Sequence, residues 1–156
     1  MVRMVKYKTK LTANKRIELE KEVSMNCPDL SYVIRSPGDA ADIGRTFMRI
    51  HENTEEYLYL ICMNTRNKVI GVFELTHGSV NSSMFSTREV FQKALLANAV
   101  SIILMHNHPS GDPTPSRQDI EVTKRATEAG NIIGIELLDH IIVGDTYCSL
   151  KEKGYV

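Results

Sequence analysis

The sequence has no long apolar run: nothing in it approaches the roughly 20 residues a helix needs to cross a bilayer. Its start, MVRMVKYKTKLTANKR, places charges where a secretory signal carries its apolar segment, so a cytoplasmic protein without membrane contact is expected. Cysteine is scarce. Cys27, Cys62 and Cys148 are odd in number, far apart and form no CxxC pair, which points to reduced thiols packed in a core. Internal repeats and low-complexity tracts are absent as well. Several catalytic signatures are also missing: a Gly-rich phosphate loop, a G-x-S-x-G nucleophile elbow and an H-E-x-x-H helix. Nor is there an H-x-E followed by P-C-x-x-C, the pattern of a nucleobase deaminase.

What the chain does have is the composition of an ordinary globular domain, with 156 residues, 42% hydrophobic and 24% charged. A chain of this length buries about 70% of its unfolded surface, so folding requires neither disulfide nor metal. Net charge is zero but unevenly placed: residues 1 to 22 hold seven Lys or Arg against three Glu, leaving twelve basic against sixteen acidic beyond. A basic N-terminal segment, residues 1–34, thus precedes a mildly acidic body, residues 35–156. Such a segment can bind phosphates through counterion release, or it can be a solvated terminal helix or tail.

Along the chain, NKRIELEKEVSM is compatible with a short helix, and NCPDLSYVIRSPGDA, with two prolines, with a connector. Ile43, Phe47 and Ile50 at helical spacing, behind Ser36 and Asp39, predict a helix near residues 38 to 51. EYLYLICMN and KVIGVFELTHG predict an antiparallel strand pair with its tip near Asn67. Ser86 and Glu89 form a capping-box start for a helix with an apolar stripe at Val90, Phe91, Ala94, Leu95 and Ala97. AVSIILM reads as a strand buried on both faces, and PSRQDIEVTKRATEAG as a helix capped by Ser116 and ended by Gly130. IIGIELLDHIIVGD supplies one or two further strands. The alternating order implies a single layered α/β domain, a central sheet flanked by helices. Substrate specificity is expected in surface loops such as residues 76 to 87.

The chemistry concentrates in HNHPSGDPTPSRQD, residues 106 to 119. The preceding strand delivers His106 and His108 on one side of the chain, with Asn107 opposite. A Pro/Gly loop then returns Asp119, in the first turn of the next helix, towards them. Two imidazoles and a carboxylate are a three-ligand zinc set that leaves a fourth position open. The competing reading is that Ser116 and Asp119, spaced S-x-x-D, merely cap the helix while the histidines are solvated loop residues. Asp139 and His140 interrupt an apolar strand, where burial without partners costs a few kcal/mol. They are expected to form a hydrogen-bonded pair or to support the metal ligands from behind. His51 and His77 have no constellation around them.

HNHPSGDPTPSRQD resembles the H-x-H-x7-S-x2-D motif of the JAB/MPN/JAMM metalloproteases, and HNHPSGDPTPS, STREVFQKALLANA and LLDHIIVG together resemble the bacterial RadC branch. The resemblance covers roughly residues 35 to 156. It implies a mixed sheet flanked by helices, of the cytidine-deaminase-like type, and one zinc per chain on His106, His108 and Asp119. It further implies hydrolysis of a peptide or isopeptide bond in a peptide or protein substrate, with a glutamate as general base and Ser116 donating to the oxyanion. Longer RadC proteins carry a helix-hairpin-helix DNA-binding segment, and residues 1 to 34 are too short for one, so nucleic acid and a DNA-repair association stand second. A protein-interaction module with a structural or vestigial site is the other alternative. Oligomeric state is left open.

For the base, Glu89 is claimed by the Ser86 cap, and Glu74 sits in a strand with ambiguous facing. Glu56 stands at the entrance of YLYLICM, in the position between first helix and first strand that the base of JAB/MPN domains resembles. Glu74 is kept as the alternative base. Glu52, Glu55 and Glu56 could also be a solvated acidic cluster.

Overall fold

A computed structural model of the chain describes residues 3–28, 31–78 and 85–156. Its strands are β1 (Met4–Leu11), β2 (Ile17–Met25), β3 (Glu56–Met63), β4 (Val69–Gly78), β5 (Ser101–Asn107), β6 (Glu136–Val143) and β7 (Tyr147–Ser149). The helices are α1 (Pro37–Thr46), α2 (Thr87–Leu96) and α3 (Arg117–Ile133), with a 3-10 turn at Ile50–Glu52. Among the described residues the strands form one sheet in the order β2-β1-β4-β3-β5-β6-β7. It is mixed: β1 runs parallel to β4 and β5 to β6, and the other neighbours are antiparallel.

Strand β5 lies near the middle and every one of its residues is buried. Its alternation feeds two cores. Ile103 and Met105 pack with Ala40 and Ile43 of α1 and with Phe47 at its C-cap, while Ile102 and Leu104 pack with Phe91 of α2 and Val122 and Ala126 of α3. Even-numbered β5 residues therefore face α3, and that parity carries His106 to the same side.

The expected short helix at NKRIELEKEVSM is instead strand β2, paired with β1 in a hairpin. Glu and Lys favour helices, but IELEKEV also alternates with period two, and the cross-strand partners decide the outcome. Lys6 meets Glu22 at 3.0 Å and Glu74 at 3.1 Å, and Lys8 meets Glu20 at 3.2 Å. Since β1 also pairs with β4, the hairpin extends the central sheet.

The helix expected at 38 to 51 ends at Thr46 and gives way to the 3-10 turn, because Arg49 adopts a left-handed φ of 51°. The strand pair turns at Asn67, also left-handed at φ 54°. Ser86 caps α2 through the Glu89 N–H, but the reciprocal half of the expected capping box is not formed, and Leu95 is exposed rather than part of the buried stripe. Helix α3 runs past Gly130 to Ile133 and ends at Gly134, whose φ of 84° suits a glycine. Gly130 serves packing instead: a Cβ there would collide with the carbonyl oxygen of Ile135.

Alanine is the better helix former by about 1 kcal/mol, yet the collision is with backbone and cannot be relieved by rotating a side chain. Gly130→Ala is therefore expected to destabilise the fold by about 1–3 kcal/mol. A urea midpoint at or above that of the wild type would contradict this packing.

Candidate metal centre

The site forms where the C-terminal end of β5 meets the start of α3. His106 ends the α3-facing row of β5 at 0% exposure, and His108 follows two residues on. The loop between them and α3 is pressed onto the β6–β7 turn, where Asp145 N–H donates to the Gly111 carbonyl at 2.8 Å. A Cβ on Gly144 would strike that same carbonyl, so this close approach requires a glycine. Helix α3 then starts with a complete capping box. Ser116 N–H donates to Asp119 Oδ2 at 2.7 Å and Asp119 N–H donates to Ser116 Oγ at 3.1 Å.

The box leaves the Asp119 carboxylate aimed at both histidines. Its Oδ1 lies 3.2 Å from His106 Nε2 and its Oδ2 lies 3.4 Å from His108 Nε2, while the two Nε2 atoms are 3.0 Å apart. Capping and ligation are thus not alternatives here, because the carboxylate that caps the helix also faces both histidines. Burial alone would raise the Asp119 carboxyl, but hydrogen bonds with His106 and His108 hold it well below the usual carboxylate range. The Asp119 hydrogen bond raises the His108 ring above its ordinary value, against burial, with the Asp112 carbonyl and the nearby Glu56 carboxylate adding to the rise.

The donor set fits a metal ion. His108 Nδ1 lies 2.8 Å from the Asp112 carbonyl, which can only accept, so the Nδ1 proton is committed there. Two imidazole nitrogens 3.0 Å apart repel unless a proton or a metal ion lies between them. Ligands about 2.0–2.2 Å from a tetrahedral zinc stand roughly 3.3–3.6 Å from one another, close to the spacings found. His106, His108 and Asp119 are the group of metal-ligating type among the described residues, with ligand atoms all within 4.8 Å.

An open cavity of about 580 Å³ borders His108 and Asp119, with Glu55, Glu56, Gly78 and Ser116 also in its lining, while His106 lies buried behind them. Glu56 and Ser116 therefore share the cavity lining with His108 and Asp119. Glu74 does not line it; its carboxylate meets Lys6 at 3.1 Å and His77 at 3.1 Å. Of the loop expected to carry specificity, residues 79 to 84 lie outside the described residues.

Asp139 and His140 do not form a side-chain pair. As neighbours in a strand they face opposite sides, and a register shift in the β5–β6 ladder, where Ile102 pairs with Leu137 but Ile103 with Asp139, decides that His140 is the one on the α3 side. Asp139 accepts from Ser149 Oγ at 2.6 Å and from the backbone N–H of Lys151 and of His140. His140 turns to the α3 side, its Nε2 2.8 Å from His106 Nδ1, and burial pushes its ring well below the ordinary histidine value.

Two further residues carry the geometry without having been singled out from the sequence. Asn107 points away from the histidines, donates to the Glu55 carbonyl at 2.9 Å and accepts from Tyr57 N–H at 2.7 Å, clamping the backbone on both sides of Glu56. Thr123 hydrogen-bonds His140 Nδ1 at 2.6 Å. Its spacing of four from Asp119, on one face of α3, was the available signal.

A family model described as the RadC-like JAB domain matches residues 34–155. The chain is 52% identical over 141 residues to a UPF0758 protein of Geobacillus sp. (strain WCH70), an overlap of 90% of this chain and 62% of that protein. It is 49% identical to the UPF0758 protein YsxA of Bacillus subtilis (strain 168), with 90% and 60% covered. A UPF0758 protein of Caldanaerobacter subterraneus subsp. tengcongensis is 46% identical, with 89% and 59% covered. The chain spans about three fifths of the length of these curated relatives. Among the described residues no helix is long and apolar enough to cross a membrane. With the family match running from the connector before α1 to the penultimate residue, and relatives near half identity across most of the chain, the chain belongs to the RadC-like JAB domain family.

Proposed function

We propose that this domain is a zinc-dependent hydrolase of amide bonds, peptide or isopeptide, with one zinc held by His106, His108 and Asp119. The observation that carries this reading is the pair of Nε2 atoms 3.0 Å apart above a shared carboxylate, spacings that suit three ligands of one zinc ion. When bound, zinc supplies Lewis acidity, which makes water nucleophilic near neutral pH and polarises a carbonyl.

The chain's own groups supply the rest. Glu56, on the cavity wall beside His108, takes the proton of the attacking water on its carboxylate and returns it to the leaving amine nitrogen. Asn107 holds the backbone that presents it. Ser116 Oγ accepts from Asp119 N–H as the helix cap, and its own O–H is the donor assigned to the oxyanion. No lysine or arginine lines the cavity among the described residues, whereas Glu55, Glu56 and Asp119 do, which favours an amide substrate over a phosphodiester. The DNA-associated alternative draws on the basic N-terminal segment, and there Lys6, Lys8 and Lys10 each lie within 4 Å of a glutamate, which leaves fewer charges for phosphates.

Elemental analysis of protein purified without added metal is expected to find one zinc per chain, lost in His106→Ala and in His108→Ala. Undiminished zinc in both variants would refute the ligand assignment. Because two cores pack without the metal, a chelator should strip zinc and leave the far-UV circular dichroism spectrum intact. On an amide or isopeptide substrate that the wild type cleaves, Glu56→Gln should keep its zinc and lose about 100-fold or more in turnover. An unimpaired Glu56→Gln would remove Glu56 from the mechanism. Ser116→Ala should lose about 1 kcal/mol of stability from the cap and about 100-fold in turnover from the donor. A loss of stability alone would confine Ser116 to capping.

A further inference from the structure

Behind the ligands runs a buried line of hydrogen bonds whose proton positions are decided by its far end. Thr123 Oγ1 lies 2.7 Å from the Asp119 carbonyl oxygen, and two oxygens at that distance repel unless a proton lies between them. The carbonyl has none to give, so the single hydroxyl proton of Thr123 sits there. The Thr123 oxygen also lies 2.6 Å from His140 Nδ1, and the proton on that line must then belong to the imidazole. His140 has 0% exposure and neither of its ring partners is a carboxylate, so a second proton and a full charge would be buried uncompensated. Its Nε2 is consequently bare. The proton on the 2.8 Å line between His140 Nε2 and His106 Nδ1 therefore comes from His106, so Nε2 is the ring nitrogen left to face Asp119 and to offer its lone pair when a metal is bound.

We infer that Thr123 and His140 are positioning residues that lock His106 into the tautomer able to bind a metal, through a line that begins at the backbone of the ligand Asp119. The inference rests on the zinc reading for its consequence, though not for its proton assignment. Metal-bound histidines usually donate their second N–H to a carboxylate, a carbonyl or water. Here the acceptor is a neutral imidazole, held in turn by a hydroxyl and a carbonyl. Two ligands distant in sequence are thereby joined twice, once at the metal position and once behind it. A neutral partner also adds no negative charge to the three-ligand set, so a bound cation keeps more of its electrophilicity than it would behind a carboxylate. The register shift in the β5–β6 ladder makes the arrangement possible, because it turns His140 to the same face as Leu137 and His106.

Two measurements on the full chain test this. In metal-free wild type, nitrogen–proton correlation spectra of the imidazole rings should show His140 protonated at Nδ1 and bare at Nε2. A His140 protonated at Nε2 would overturn the inference. In the second, zinc affinity is read by competition with a chromophoric chelator. Thr123→Val keeps the shape and removes the hydroxyl, so it should bind zinc about 10-fold more weakly and shift His140 towards the other tautomer. Thr123→Ser, which keeps the hydroxyl, should restore both. A folded Thr123→Val with wild-type affinity and an unchanged His140 tautomer would also overturn it. If the wild type binds no zinc, the proposed function fails, and the metal-free tautomer spectrum still decides the proton assignment by itself.

Discussion

The capping box at the start of α3 is the interaction on which the site depends. A helix N-terminus has backbone N–H groups without partners, and a serine and an aspartate three residues apart satisfy two of them reciprocally. Here the reciprocal bond from Ser116 N–H to Asp119 Oδ2, at 2.7 Å, also sets the rotation of the carboxylate. Its two oxygens then point at two imidazoles supplied by a strand on the other side of the chain reversal. A solution to a local backbone problem thus becomes the means of aiming a carboxylate at both histidines. The helix dipole adds to this, since its positive end favours the ionised carboxylate.

The remaining geometry is imposed by layers. Strand β5 is buried along its whole length, so its residues sit in fixed alternation, and the row that packs on α3 through Ile102 and Leu104 continues into His106. The opposite row ends in Asn107, which reaches across to β3 and fixes the stretch that carries Glu56. One strand end therefore organises both sides of the cavity. The close contact of Gly111 with Gly144 holds the loop between β5 and α3 against the β6–β7 turn.

Much of this was legible in the sequence, for reasons that are local. Ser36 and Asp39, Ser116 and Asp119, and the all-apolar run before His106 announce two helix starts and a buried strand, because capping and burial impose their residue types at fixed short spacings. The IELEKEV stretch was not legible as a strand, because Glu and Lys favour a helix when taken alone. Only the lysines of β1 and the glutamate of β4, distant in sequence, turn them into a strand. Gly130 has the residue type of a helix end, yet it is a packing contact with Ile135, a partner that no helical periodicity reveals.

The sequence by itself determined the metal-ligating residue types, their spacing and the side of the strand on which the histidines emerge, since alternation and helix capping act over a few residues. Tertiary structure decided which carboxylates share the cavity, placing Glu56 on its wall and engaging Glu74 with Lys6 and His77. It also decided the separation of Asp139 from His140. These neighbours would point to opposite faces in any strand, but which of them met His106 depended on one extra residue in the β5–β6 ladder. Such a shift depends on the pairing of two strands rather than on either alone, and pairing is settled only when the whole sheet packs.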